Sequence, residues 1–497
     1  MRRWRLAAAW LAGILAFGGV LFVSRAPAPG LDPDAMSYVG AGESLARTGR
    51  LRIPAADWWD SDSTTALAQF PAGFPFTIAA TIGLGFTPVQ AARVVEALAA
   101  LGLVIIVMRL LQHTAGPPAD VIAVVLLAAT PAIFDNYIRV LSEPLFLLAV
   151  ALALSAMVRR PDRPFLAGLA ATAAELVRYA GIAMGAAVVL WAIGRSGRWR
   201  ERGERALEAA LPVLAGHAWW WVRLRAVGAE SPPVTHLQRG LGATLREGIV
   251  SVAEWLVPGK AGAVRAVLAV LFLLAALWLV RRALRRMPRD GRAIARRRLF
   301  NALGLVAACY AVVLLFSRAF VGGGIPFDER LLSPLFLLAT IAGAAALRIR
   351  WPAWSIGPRA AAVVLVTAWA AAGARLNVEQ YQGLQEDGWG YSGRKWVPSA
   401  EAEWLQTDGR HYELFSNNPM LVYFLTGRPS RELPDSADAA TLRDFAGTLA
   451  ERHSAVVGFD ESYRPMDPAG FLAAVLQLQP LARFPHMSVW TPRPESP

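Results

Sequence analysis

The sequence predicts a polytopic α-helical membrane protein with about eleven transmembrane helices and a small C-terminal α/β domain. Three observations predict it. The first is composition: 55% of the 497 residues are hydrophobic and only 18% are charged, with a mean hydropathy of +0.39, far more apolar than a soluble protein of this length requires. The second is a series of apolar runs spaced along residues 6–374. The third is where the positive charge lies. The net charge of +13 gathers in short segments between those runs, as positive-inside topology demands and nucleic-acid binding does not. Lys260 and Lys395 are the only lysines, so nearly all of that charge is arginine. The single cysteine, Cys309, excludes an intrachain disulfide and a cysteine metal site. The six histidines are scattered, with no pair at ligand spacing.

The first apolar run, Leu6 to Ser24, follows Arg2, Arg3 and Arg5. It is longer than the core of a signal peptide, and Pro27 and Pro29 crowd the only cleavage point, so it reads as a retained span. Further spans are expected at Val89–Gln112, Ala119–Phe134, Leu141–Val158, Phe165–Val177, Tyr179–Ile193, Leu207–Val227, Ala261–Val280, Leu299–Phe316, Leu331–Leu347 and Ala360–Ala374. Ala72–Gly85 would reach only about 21 Å as a helix, against a hydrocarbon core of about 30 Å. Parity decides its place. Counted as a span, it drives the basic segments Arg159–Arg163, Arg195–Arg205, Arg281–Arg298 and Arg348–Arg359 outside; laid on the surface, it leaves all four in the cytoplasm. The second arrangement puts the N-terminus inside and the tail outside. It divides the chain into a membrane region, residues 1–375, and an extracytoplasmic α/β domain, residues 376–497, with long outer loops at Arg25–Gln90 and Gly228–Lys260. In the tail, strands are expected at Tyr412–Ser416, Ala455–Phe459 and Met487–Trp490. Helices are expected after Pro419, near Leu442–Arg452 and near Phe471–Leu478.

Three groups of ionisable residues fall on the outer side. Asp32-Pro33-Asp34, with Tyr38 and Glu43 beyond, offers a carboxylate to deprotonate a nucleophile; the plainer reading is a solvated loop in which Asp34 caps a helix over Ala35–Arg47. Arg139 with Ser142-Glu143-Pro144 opens a span, where Glu143 also suits a helix N-terminus. Arg178 lies between two short spans, and Asp328-Glu329-Arg330 precedes another. Arginine at membrane depth either snorkels to the interface or serves a ligand, and guanidinium groups grip a lipid phosphate bidentately. Trp58-Trp59-Asp60-Ser61-Asp62 has the makeup of a sugar-binding loop, and equally that of an interfacial anchor. Asn418 with Pro419 reads as a helix start.

These residues together resemble the GT-C superfamily of membrane glycosyltransferases that use polyprenyl-phosphate sugars, in its aminoarabinose and protein-mannosyl transferase branch. The resemblance runs through Asp34-Ala-Met-Ser-Tyr38 to Gly49 and Pro54, Phe70-Pro71-Ala-Gly-Phe-Pro75, Arg139-Val-Leu-Ser-Glu143-Pro-Leu-Phe146, Leu176-Val-Arg178-Tyr-Ala-Gly181 and Glu329-Arg330-Leu-Leu-Ser-Pro334. It implies Asp34 as catalytic base, Glu143 as the second acidic residue, and Arg139, Arg178 and Arg330 as ligands of the donor's lipid phosphate, with Asp32 and Tyr38 in the pocket. It implies an inverting enzyme of the bacterial inner membrane, acting on a glycolipid, glycan or protein hydroxyl. The branch usually has an acidic residue where Ala35 stands here, so Asp32 competes with Asp34 for the role of base. No cofactor is implied; Asp32-x-Asp34 could hold a divalent cation, with too few further ligands in view to complete its shell. A transporter of lipid-linked glycan would place charges near mid-membrane in related halves, and no internal repeat is present. A non-catalytic scaffold would carry its sharpest motifs in the tail, and they lie elsewhere.

Overall fold

The computed structural model describes residues 2–25, 27, 29–228, 241–257, 263–287, 290–320, 328–434, 436, 438–460 and 468–493. Part of the expected outer loop Gly228–Lys260 lies outside these. Helices α1 (Arg2–Val23) and α2 (Pro33–Thr48) are followed by three two-residue strands, β1 (Arg52–Ile53), β2 (Ala55–Ala56) and β3 (Thr65–Ala66), and by α3 (Gly73–Ile82). Then come α4 (Pro88–Thr114), α5 (Ala119–Ala129), α6 (Pro131–Ile138), α7 (Glu143–Arg159), α8 (Pro164–Val177), α9 (Ile182–Ile193), α10 (Trp199–Ala226) and α11 (Leu241–Leu256). The helical part continues with α12 (Ala263–Arg285), α13 (Ala293–Phe320), α14 (Glu329–Arg350) and α15 (Ile356–Asp387). The rest alternates as α16 (Ala400–Gln406), β4 (Glu413–Ser416), α17 (Pro419–Thr426), β5 (Ser430–Glu432), α18 (Ala439–Glu451), β6 (Ser454–Phe459), α19 (Pro468–Val475), β7 (Gln479–Arg483) and β8 (Met487–Thr491).

The chain forms two compact units, Met1–Val23 with Arg93–Gln382, and Ser24–Ala92 with Gly383–Pro497. The first is a helical bundle. Small residues such as Ala97, Ala153, Ala171, Ala187 and Ala345 are fully covered where helices meet, which lets backbones approach in a setting where lipid tails supply no hydrophobic drive between helices. Conversely, Leu11, Leu15, Leu274, Leu277, Val364 and Leu365 are exposed large apolar residues on α1, α12 and α15, the pattern of helices whose outer side faces lipid. Six described helices are long and apolar enough to cross a membrane, and the bent pair α5–α6 raises this to seven. The expected eleven include shorter pieces. The helices α8 and α9, of 14 and 12 residues, reach only about 21 and 18 Å, and the first turns of α10 carry Arg200, Glu201, Arg202, Glu204 and Arg205. One further helix, α11, stacks Trp255 on Phe336 of α14, with ring centroids 4.5 Å apart.

The second unit holds a six-stranded sheet ordered β2-β5-β4-β6-β8-β7. Its first four strands are parallel, and β8 and β7 close it antiparallel. The central strand β6, Ser-Ala-Val-Val-Gly-Phe, is buried throughout, as a strand covered on both faces must be. Pro480 sits on the edge strand β7, where its missing N–H costs no ladder bond. Trp58 joins Phe415, Phe445, Val456 and Leu472 in the core beneath the sheet. The unit is larger than the tail set apart from sequence, because β2, from the segment between α2 and α3, lies parallel to β5, Ala55 opposite Ser430 and Ala56 opposite Arg431. A two-residue strand has no pattern of its own, so its partner alone defines it. Within Ala72–Gly85, expected from sequence to lie on the membrane surface, the structure has α3, ten residues packed against α2.

Candidate functional site

The bundle's site begins with a break. Pro131 holds Thr130 extended, as a residue before proline must be, and α5 and α6 meet at a bend of 63°. Residues 139–142 then run without helix before Pro144 helps start α7. Backbone freed from a helix inside a membrane protein must find other partners. Here α4 supplies them. The Arg93 guanidinium donates to the Tyr137 carbonyl at 2.6 Å and the Arg139 carbonyl at 2.9 Å, and reaches the Val20 carbonyl at 3.5 Å. Glu96 accepts from the Leu141 N–H at 2.7 Å and pairs with Arg93. Both side chains are buried. Nothing in the sequence marks this pair, because both residues sit in a continuous apolar run and look like its polar shoulder.

Held by that strut, the segment presents Arg139, Ser142 and Glu143. Glu143 is 1% exposed, and its Oε1 accepts from Arg178 at 2.7 Å and from Arg330 at 2.9 Å. Its second oxygen, Oε2, is buried and has no hydrogen-bond partner among the described residues. Arg178 comes from the extended joint between α8 and the turn before α9, where Gly181 packs so closely that a Cβ would lie 2.3 Å from the Ala174 carbonyl carbon. Its guanidinium also donates to the Ser142 hydroxyl at 3.1 Å. Arg330 stands in the first turn of α14, which Asp328 caps by accepting from the Leu331 N–H at 3.1 Å. The cluster of two guanidiniums on one carboxylate carries a net charge of +1. Arg139 has a different partner, Asp135, at 2.9 Å, and Gln380 of α15 donates to the same carboxylate oxygen at 2.8 Å. Asp135 was missed from sequence; its signal was an acid beside the proline break.

The other predicted residues belong to the second unit. Asp32, not Asp34, caps α2, its Oδ1 accepting from the Ala35 N–H at 2.8 Å. Asp34 occupies the first helical turn and is half-buried, where the helix dipole favours a carboxylate. Tyr38 is a core residue, its ring 4.6 Å from Phe70 and 5.3 Å from Phe74. Glu43 pairs with Arg47 at 2.7 Å and accepts from the Tyr423 hydroxyl. Burial, followed by that contact, pushes the Tyr423 hydroxyl above its usual range. Among the described residues no group of three or more His, Cys, Asp or Glu side chains is arranged to hold a metal.

The Trp58–Asp62 loop is fastened from beneath. Arg431, buried on β5, donates to the carbonyls of Asp57, Asp60, Ser61 and Asp62 and pairs with Glu413. Trp58 turns inward against Phe445, and Trp59 is 61% exposed.

No family model matches the sequence, and no curated protein matches it. Solved structures do match the fold. ArnT from Cupriavidus metallidurans, solved with undecaprenyl phosphate, is 15% identical with a TM-score of 0.60, the match covering 97% of each chain. The two chains share one fold. The mycobacterial arabinofuranosyltransferase AftD is 19% identical with a TM-score of 0.57, over 99% of this chain and 40% of that one. The Archaeoglobus fulgidus oligosaccharyltransferase AglB, solved with an inhibitory peptide and a dolichol phosphate, is 12% identical with a TM-score of 0.56, over 92% of this chain and 69% of its own. Within this fold, the Glu143 cluster is a preorganised cationic site on a buried carboxylate, suited to an anionic oxygen.

Proposed function

We propose that this chain is a glycosyltransferase that moves a sugar from a polyprenyl-phosphate donor to an acceptor hydroxyl at the outer face of a bacterial inner membrane. In this reading the chain crosses about eleven times, with its N-terminus inside and its tail outside. The observation that carries it is Arg178 and Arg330 meeting on the Oε1 of Glu143, in a fold shared with ArnT and AglB, which were solved with undecaprenyl and dolichol phosphates.

The reaction is a single displacement. Asp34 takes the proton of the acceptor hydroxyl, the new bond forms from that oxygen to the anomeric carbon, and the bond from that carbon to the phosphate oxygen breaks with inversion. Polyprenyl phosphate leaves with the electron pair and an added negative charge. Arg178 and Arg330 meet that charge, with Arg139 as a third phosphate ligand. Because their geometry is set before the reaction, the charge is stabilised without reorganisation. Glu143 holds the two guanidiniums in place with Oε1. The acceptor is a glycolipid, a glycan or a protein.

The test uses the full-length protein in liposomes with a panel of undecaprenyl-phosphate sugars, following release of undecaprenyl phosphate by mass spectrometry. Release from at least one donor, lost in Asp34→Asn with the protein still inserted, is expected. No release from any donor, or release indifferent to Asp34→Asn, would overturn the assignment.

A further inference from the structure

The far end of α7 carries a second concentration of positive charge that the proposed chemistry does not use. Arg159 closes the 17-residue helix that Glu143 opens, about 24 Å away along the axis. There a cavity of about 510 Å³ is lined by Arg5 and Leu6 of α1, Arg109 and His113 of α4, Arg159 of α7, and Arg292 from the approach to α13. Basic residues at helix ends are ordinary in a membrane protein. Convergence from four separate segments on one cavity is not.

Several buried or half-buried arginines have carboxylates: Arg296 pairs with Asp290 at 3.0 Å, Arg318 with Glu247 at 2.8 Å and Arg265 with Glu254 at 2.8 Å, whereas Arg350, also buried, has no ion pair among the described residues. Arg109, Arg159 and Arg292, all half-buried, have no ion pair among the described residues. The nearby Asp120 accepts from Gln112 at 2.8 Å instead. Arg109 and Arg159 act on each other as like charges, and Arg159 and Arg292 act on His113 in the same sense. The Asp290 carboxylate acts on Arg292 but pairs with Arg296, and an anion in the cavity would relieve the repulsion that remains. The backbone makes room for it: Gly116, at φ +81°, passes so close to Arg292 that a Cβ would lie 2.3 Å from the guanidinium Nη1. Leu6 forms an apolar wall, and beyond it α1 presents the exposed Trp10, Leu11 and Ile14.

We propose that this cavity binds one phosphate group, carried by the headgroup of an anionic phospholipid whose chains lie along α1. Guanidinium groups suit a phosphate bidentately, and basic pockets between membrane helices take anionic headgroups in general. The lipid-facing wall favours a headgroup over free phosphate.

The test is native mass spectrometry of the full-length protein in detergent with dioleoyl phosphatidylglycerol, dioleoyl phosphatidylcholine or inorganic phosphate added. One retained phosphatidylglycerol per chain is expected, with phosphatidylcholine not retained. The Arg109→Gln/Arg159→Gln variant should lower that occupancy at least about tenfold, and Arg109→Lys/Arg159→Lys should fall between. Elution volume and circular dichroism report whether each variant is folded, and Arg292→Gln, altered outside any helix, provides a second variant. Binding of inorganic phosphate that displaces the lipid would keep the phosphate site and assign its source to solution. Equal retention of both lipids, open-ended loading without a single-copy plateau, or unchanged retention in the folded glutamine variants would overturn the proposal.

Discussion

Replacing Glu143 by Gln keeps the side chain's shape and removes its charge, so it isolates what the carboxylate does. Arg178 and Arg330 both lie within 2.9 Å of one oxygen, which leaves their interacting nitrogens less than about 6 Å apart. At an effective dielectric constant of about 20, two positive charges at that distance repel by about 3 kcal/mol. In the wild type the buried carboxylate offsets this; in Glu143→Gln it is unmasked, and the amide oxygen can still accept from only part of the pair. The guanidiniums then separate, and the preorganised phosphate site is lost. If the whole amount appears in the transition state, kcat/KM falls by about two orders of magnitude. The assay is undecaprenyl phosphate release by protein in liposomes, with binding of undecaprenyl phosphate itself followed by ligand-induced thermal stabilisation. Glu143→Asp, with its charge retained on a shorter stem, should recover part of the loss. A folded Glu143→Gln protein that works within threefold of wild type would refute the reasoning, because the cluster would then be structural.

The cap geometry separates the two first-loop carboxylates: Asp34→Asn should abolish transfer, whereas Asp32→Asn, which can still cap α2, should keep it, and Asp32→Ala should cost about 1 kcal/mol of stability, read by thermal denaturation of the purified variants. Arg93→Leu or Glu96→Leu should each destabilise the protein by about 3–5 kcal/mol, because each leaves a buried charge unpaired; the double variant should be less harmful than the sum, and additive losses in thermal unfolding in detergent would contradict the paired strut. Arg431→Ala should free residues 57–62, seen as faster proteolysis beside Trp59 with the spectrum of the folded protein otherwise kept; unchanged cleavage would show that the loop holds itself. Four donors surround the Asp438 carboxylate, and the Ser436 hydroxyl above all holds it below the usual range. Its contribution to α18 is therefore present above the ordinary aspartate value near pH 4 and lost as pH falls through the lower folded value; hydrogen exchange of the first turn of α18 across that range should show it, and Asp438→Ala should remove the dependence.

Much of the bundle is legible in the sequence because a bilayer leaves little choice: a run such as Leu299–Phe316 has one way to satisfy its backbone and its side chains together. Less legible is what happens inside a run. Ala119–Phe134 reads as a single span, and only Pro131 hints at the bend that exposes the Tyr137 and Arg139 carbonyls. The response, Arg93 with Glu96, is written on another helix and carries no spacing rule. Glu143, Arg178 and Arg330 could be named through short motifs, but their convergence on one oxygen depends on three helix termini at once. The second unit shows the same limit in another form. Strands β4, β6 and β8 announce themselves by apolar β-branched and aromatic residues, whereas Ala55-Ala56 becomes a strand only because Ser430 and Arg431 lie beside it. Asp32 and Asp34 look equivalent as letters, and the proline between them decides that Asp32 is the cap.

The central claim is transfer of a lipid-linked sugar, and the most direct measurement is mass spectrometry of envelope glycolipids, glycans and glycoproteins from cells carrying wild type, a deletion, or Asp34→Asn on the chromosome. One class of molecule lighter by a single sugar is expected in both mutant strains, with the polyprenyl-phosphate sugar accumulating. Wild-type-like glycans in the Asp34→Asn strain, with the protein present in the membrane, would contradict it.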